Sequence, residues 1–348
     1  MESRSSVHAD YRQSETVMNG SFQRTGSRAF AWVVAFLVIS SSILACQVPV
    51  FRFALERWNP DRYQILVLSE GVLNADQIAA LKPLSEQQGS DSRTDLKSID
   101  VTKTEVKLVK ELWKKHKNGA APVVVTMYPE SSATPPGQSA FAAALSEQHV
   151  QQILTSPARD EIIRRLADGH SAVWILLESG DAHKDQAAAA MLQSQIEKDA
   201  DWLKLPSPEE LEIDPKVLGE TKINLRIEFS VVPVKRDDPE ETFLVNCLLN
   251  SESDLKDYED PIAFPVFGRG RVLYALVGKG ISSDTIRSAS SFIAGPCSCQ
   301  VKNQNPGFDL LLSNDWDAAI GDTFISQPLP EQNKKPELLK IPAGRASR

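Results

Sequence analysis

Short apolar runs and helical stripes take turns along this chain. Gln64-Ile-Leu-Val-Leu-Ser69 has the unbroken apolar character of a buried strand. Asn74 stands where it can cap a helix carrying Ile78, Ala79 and Leu81. Leu96 to Val101 reads as a second strand. Thr104 then starts a helix with Val106, Val109, Leu112 and Trp113 on one face, stopped at Asn118-Gly119. Pro122-Val-Val-Val-Thr-Met-Tyr128 is rich in β-branched residues and reads as a strand. A Pro/Gly-rich turn, a weak strand near Gln138 and a helix around Ser146–Leu154 complete the pass. Ser156 as N-cap, Pro157 in the first turn and Gly169 past the end then predict a connecting helix over 156–170.

The same order returns. Ala172-Val-Trp-Ile-Leu-Leu177 is an apolar strand, followed by a long helix from about Asp185 to Trp202 with Ala188, Met191, Leu192 and Ile196 inward. Ile223 to Val231 alternates apolar and polar residues and predicts a strand. Asp238-Pro239 opens a helix with Phe243, Leu244, Cys247 and Leu248 on one side. Ile262 to Phe267 and Val272 to Val277 read as strands joined by Gly268-Arg-Gly-Arg271, and Ser282 or Ser283 caps a last helix ended by Gly295. The pattern therefore predicts an α/β protein with two like-built domains, residues 59–155 and 171–322, each a mixed sheet flanked by helices. Trp113, Trp174 and Trp202 are expected in cores, and Trp316 as a cap on the second domain. His116 and His170 fall near helix ends.

Ahead of this body, residues 29–51 carry no charge over 23 positions. As a helix that length reaches about 34 Å, enough for a single membrane span. Residues 1–28 and 326–348 read as polar, disordered tails. The layout of tail, span and body is that of a signal anchor, with the body outside the cytoplasm on the periplasmic side. Two rivals share the segment: Ile43-Leu44-Ala45-Cys46 has the form of a lipobox acylated at Cys46, and simple cleavage after a small residue is a third reading.

With 38 Lys+Arg against 46 Asp+Glu the formal net charge is −8, which disfavours a duplex nucleic-acid partner. Four cysteines are too few for a disulfide-built scaffold of 348 residues. No Gly-x-Ser-x-Gly or His-Glu-x-x-His occurs, and no cofactor is expected.

The element order resembles the thioredoxin fold, twice in tandem over residues 62–295, with Pro122 and Pro265 (or Pro261) standing where that fold has a proline before its third strand. A second resemblance lies in Phe264-Pro-Val-Phe-Gly-Arg-Gly-Arg271, Cys297-Ser-Cys-Gln-Val-Lys302, Asn305-Pro-Gly307 and Asp315-Trp316. These are similar to motifs of a family of uncharacterised, membrane-anchored bacterial proteins, a likeness that implies no activity. The departure from redox thioredoxins is the more informative feature. Their Cys-x-x-Cys lies between first strand and first helix, where the helix N-terminus lowers a thiol pKa. Here those loops read Ser69-Glu-Gly-Val-Leu-Asn74 and Glu178-Ser-Gly-Asp-Ala-His183, without cysteine.

Two other places hold candidate chemistry. Cys297-Ser-Cys299 reads as ordinary thiols, as a labile redox pair, or as soft-metal ligands for copper or zinc with Cys247 as a third. Arg269, Arg271, Lys279 and Ser282 lie in a locally basic stretch, and Gly278-Lys-Gly280 precedes a helix start, so an anion site is the second candidate. The expectation that follows is a membrane-tethered, non-catalytic binding or scaffold module with a protein partner in a membrane or envelope complex. A thiol oxidoreductase or metal carrier is the alternative.

Overall fold

The central strands of the molecule are β1 (Tyr63–Ser69) and β5 (Ala172–Glu178), nearly every residue of which is buried on both faces. That is why each reads as an unbroken apolar run. The computed structural model describes residues 47–86, 93–117, 122–132, 134, 137–297, 302–305 and 307–327. Residues 1–46 with most of the expected span and Cys46, the Cys299 position, and 328–348 lie outside them.

In the first lobe, β1 pairs in parallel with β2 (Thr94–Asp100) and antiparallel with β3 (Val123–Met127), which pairs antiparallel with β4 (Ser139–Ala144). The sheet order is β2-β1-β3-β4. The second lobe repeats this layout around β5. β6 (Phe229–Lys235) runs parallel to it on one side, and β7 (Ile262–Phe267) antiparallel on the other. Two short strands, β8 (Arg271–Val272) and β9 (Leu276–Val277), then line β7, and β10 (Phe308–Asp309) pairs with β8. The second expected hairpin strand is thus broken in two.

Side-chain alternation sorts these strands into layers. Leu66, Leu68, Val123 and Val125 face α3 (Lys107–His116), meeting its Val109 and Leu112. Ile65, Val67 and Val124 face inward instead. They join one cluster with Val173, Ile175 and Leu177 of the second sheet and with α2 (Ala75–Glu86), α4 (Glu147–Leu154), α5 (Pro157–Ala167) and α8 (Thr242–Leu249). On the far face of the second sheet, Trp174 and Leu176 pack with α6 (Ala182–Trp202), α9 (Ser283–Ala294) and α1 (Val50–Arg57). The short helices α7 (Pro215–Glu220) and α10 (Trp316–Ile320) complete the set. Because one core serves both sheets, the described residues form one unit.

Several expectations change here. The last residues of the uncharged run do not belong to a membrane span. Val48, Val50 and Phe51 are buried in the outer core, and the Val50 N–H donates to Gly295 O at 2.9 Å. Among the described residues no helix is long and apolar enough to cross a membrane. At the other end, Ser326 is not tail: its N–H and that of Ile325 donate to the buried Glu56 carboxylate, at 2.7 and 3.1 Å. Residues 223–228 alternate without forming a ladder, since β5 begins at Ala172 and its register partner is Phe229. Trp202, the last residue of α6, is 57% exposed beneath the Arg287 guanidinium, and Met191 is exposed because Ala188, Leu192 and Ile196 form the buried face of that helix.

The motif-bearing segments turn out to be joints. Gly268 lets the turn touch α1, where an added Cβ would meet Ala54 Cβ at 2.6 Å. Arg269 donates to the terminal α1 carbonyls of Leu55 (2.7 Å) and Glu56 (3.3 Å) and pairs with Asp317 at 2.9 Å. Arg271 pairs with Asp309 at 3.2 Å and donates to Asn305 O at 2.8 Å. Gly307 has φ +101°, and a Cβ there would overlap Val272 O. Breaking a buried pair from one side costs about 3–5 kcal/mol. Arg271→Ala is therefore expected to lose that much in chemical denaturation, and Gly307→Ala to give little folded protein. An Arg271→Ala protein as stable as wild type would remove this role.

Candidate functional site

The structure separates the cysteines. Cys297 is 1% exposed in the outer core, its N–H donating to Val48 O at 3.0 Å. Cys247 is buried in the central core, its Sγ 3.5 Å from Tyr63 Oη. The second sheet stands between those two clusters, so Cys247 is not a third ligand beside Cys297. Among the described residues no group of three or more His, Cys, Asp or Glu is arranged to hold a metal. Burial pushes the Cys247 thiol up to about 11. Such a thiol is not poised for exchange.

The four candidates for an anion site are not brought together either. Phe267 pairs with Arg271 at one end of β7, and Ile262 with Val277 at the other. At about 3.3 Å per residue, roughly 17 Å of strand separates the arginine turn from the Gly278–Gly280 turn. Arg269 and Arg271 are already engaged by carbonyls and carboxylates. Ser282 is engaged as well: its hydroxyl accepts the Thr285 N–H at 3.4 Å in a capping box. Lys279 alone stays exposed.

A better candidate sits where β5 and β6 end. In sheets of parallel strands, ligands collect outside the carboxyl ends. Here a cavity of about 640 Å³ is walled by Ser179, Gly180, Asp185, Gln186, Lys235 and Arg236, among others. Gly180, at φ +92°, turns the chain from β5 into α6. Asp185 reaches back from the first turn of α6. Its carboxylate accepts the Ser179 N–H (2.7 Å), the Ser179 hydroxyl (2.8 Å) and the Gly180 N–H (3.0 Å). Asp181 caps the helix, accepting His183 and Lys184 N–H at 2.9 and 3.2 Å. Those bonds hold its carboxyl below the usual range.

Across the cleft, Arg236 donates to Tyr258 O at 2.7 Å and Asp260 O at 2.6 Å. Both acceptors are neutral, and Asp260's carboxylate goes to Lys184 at 2.9 Å. Among the described residues the guanidinium has no direct carboxylate pair, and its Nε–H has no partner. Burial draws its pKa down, opposed by Asp185 and Asp260. The arrangement offers fixed donors and acceptors, with the side chains of Glu178, Lys235 and Asp237 also on the cleft wall. Arg236 and Asp185 escaped the sequence reading, although the loop Glu178-Ser-Gly-Asp181 after an apolar strand carried the signal.

The equivalent loop of the first lobe is also tied. Val101 N–H donates to Ser69 O at 2.9 Å, and Gly71 N–H to the Asp100 carboxylate at 3.1 Å. The Thr102 hydroxyl on that carboxylate keeps its pKa well below the ordinary range. Held this way, Val72 is 91% exposed. A second cavity of about 590 Å³ lies near the start of β1, between Gln64, Asp95, Tyr128 and Gln138.

The sequence matches no family model, and a search of curated proteins finds no match to it.

The Cys247 shift has a pH consequence. Its folded pKa stands above the roughly 8.5 of a free thiol. The stability it confers is therefore complete below about pH 8.5 and is lost as pH rises toward 11. Between pH 8.5 and 10, wild type should lose stability more steeply than Cys247→Ala, as read by urea midpoints. Parallel slopes would refute the buried-thiol assignment.

Proposed function

We propose that this protein is a membrane-tethered, non-catalytic binding module. On this reading residues 29–46 anchor it, the body lies outside the cytoplasm, and two thioredoxin-like lobes serve as a scaffold for a protein partner in a membrane or envelope complex. The observation that carries the reading is the rebuilt loop at the β5–α6 junction. Where a redox member of such a fold would present a thiol, Ser179, Gly180 and Asp181 are bound up with carboxylates beside an open cleft. The strand order β2-β1-β3-β4, and its repeat around β5, support the thioredoxin-like comparison. The uncharged run 29–46 is still 18 residues after its last five positions are assigned to the body, about 27 Å as a helix and within the range of a span.

Carbonate extraction of cell membranes should leave the full chain in the pellet. Affinity purification in mild detergent should recover a stoichiometric protein other than the bait. Gln186→Trp, which fills the cleft from an exposed position, should cut that recovery at least fivefold without moving the melting temperature. Undiminished recovery from a folded Gln186→Trp protein would exclude the cleft, and a fully extractable chain would exclude the tether.

A further inference from the structure

One face of the first lobe is rich in exposed lysines. Val109 and Leu112 turn α3 toward its sheet, so Lys107, Lys110 and Lys114 form a stripe on the opposite side, three and four residues apart. Residues 103–117 hold six lysines against two glutamates, a surplus of four positive charges in a protein of net −8. Four of the six have carboxylate neighbours: Lys107 has Glu111 at 3.6 Å, Lys110 has Glu105 at 2.7 Å, Lys103 has Asp100 at 3.1 Å and Lys117 has Glu70 at 3.4 Å. Among the described residues Lys114 and Lys115 have none. Apolar side chains stand in the same place: Val106 is 56% exposed and Leu108 43%.

Beside this stripe lies its electrostatic opposite. Residues 252–260 hold five acids and one lysine, a surplus of four negative charges. Glu252, Asp254, Asp257 and Glu259 are exposed, and Tyr258 between them is 40% exposed. The two regions adjoin at β4, where His116 Nε2 lies 3.4 Å from Ser139 Oγ and the Asn250 side-chain amide donates to Ala140 O at 3.0 Å. Burial and Lys115 draw the Lys256 pKa down, and burial with both lysines does the same to His116. Across this junction lysine therefore acts on lysine. Within one molecule the lysine stripe and the acids lie side by side, not face to face.

Adjoining patches of opposite sign on one face are self-complementary about a two-fold axis, because rotation sets each patch on its opposite. The chain's own ends do not suit the lysine stripe. Residues 1–46 have four arginines against three acids, and 328–348 five basic residues against two acids, so both are net basic. We infer that this face is the interface of a homodimer, with the lysine stripe of α3 on one copy seated on the 252–259 segment of the other. Exposed pairs stabilise little singly. In this interface they set orientation, while Val106, Leu108 and Tyr258 supply the apolar area removed from water. The inference does not depend on the cleft or on the membrane tether.

The test uses the full chain in mild detergent, sedimented at low salt and at about 0.5 M NaCl, where surface charge is largely screened. Wild type should sediment as two copies at low salt and as one at high salt. A triple variant Lys107→Glu, Lys110→Glu, Lys114→Glu should be monomeric, and so should Glu252→Lys, Asp254→Lys, Asp257→Lys. Mixed in equal amounts they should form a dimer, since the heterodimer restores attraction at both contacts. Circular dichroism melting checks that each variant is folded. Wild type remaining single at low salt overturns the inference, as does a dimer indifferent to salt, an assembly larger than two, or a mixture no heavier than its parts.

Discussion

Asp309 holds its carboxylate where almost no water reaches, with a 3% exposed side chain between Arg271 at 3.2 Å and the Lys302 ammonium. Its second oxygen also accepts the Asp61 N–H at 2.8 Å, and its carbonyl accepts the Tyr63 hydroxyl at 2.6 Å. Lys302 goes on to Asp61 at 2.8 Å and to Asn59 O at 2.7 Å. The last strand of the second lobe, its β7–β8 turn and the start of β1 thus meet on a single residue. Burying such charges is costly unless every lone pair and proton is used, and here they are nearly all used. Remote parts of the chain must therefore be in place together, which fits two sheets that share one core.

A second joint works on the same logic where the connecting helix begins. Ser156 was the expected cap for α5, yet its hydroxyl donates to Glu241 at 2.6 Å instead of accepting a helix N–H. The capping acceptor is Glu241 itself, from the second lobe, which takes the Ala158 N–H at 2.6 Å. An acid at a helix N-terminus is favoured by the exposed N–H groups and the helix dipole. Arg159, 1% exposed, donates to Ser156, Ile153 O and Leu311 O within 3.1 Å, and burial lowers its pKa to about 10. A group with that pKa stays charged at neutral pH, so it ties three chain segments as a cation.

These joints explain which parts of the fold were legible in the sequence. β1, β3, β5 and β7 were readable because burial on both faces forces a local apolar run, and α2, α4 and α9 because their caps are local. Asn74 and Gln77 exchange bonds at 2.9 Å within one turn. What stayed hidden depends on partners far along the chain. The alternation of 223–228 is true of the residues, but a strand needs a ladder, and their neighbour is Ser171, whose N–H and hydroxyl bond Glu228 and Arg226 just before β5 begins. Arg269 and Arg271 look like surface cations in sequence because their partners are α1 carbonyls more than two hundred residues earlier and Asp309 beyond the next helix. The expected span reached too far for a related reason: Val48 to Phe51 are as apolar as lipid requires, and an apolar core accepts them equally.

The loop after β5 is a poor setting for a reactive thiol. A thiolate at that junction would be stabilised by free N–H groups at the start of α6. Here those groups have acceptors. Asp181 takes the N–H of His183 and Lys184, and Asp185 takes those of Ser179 and Gly180. Two carboxylates also add negative charge where an anion would have to form, which raises the pKa of any acid placed beside them. A cysteine placed at position 179 would meet this field and would forfeit the bond that the Ser179 hydroxyl makes to Asp185. The junction is organised around fixed anions and a guanidinium held by neutral carbonyls. Its charge is thus set by partners already in place, and a further anion there would find none of these N–H groups free.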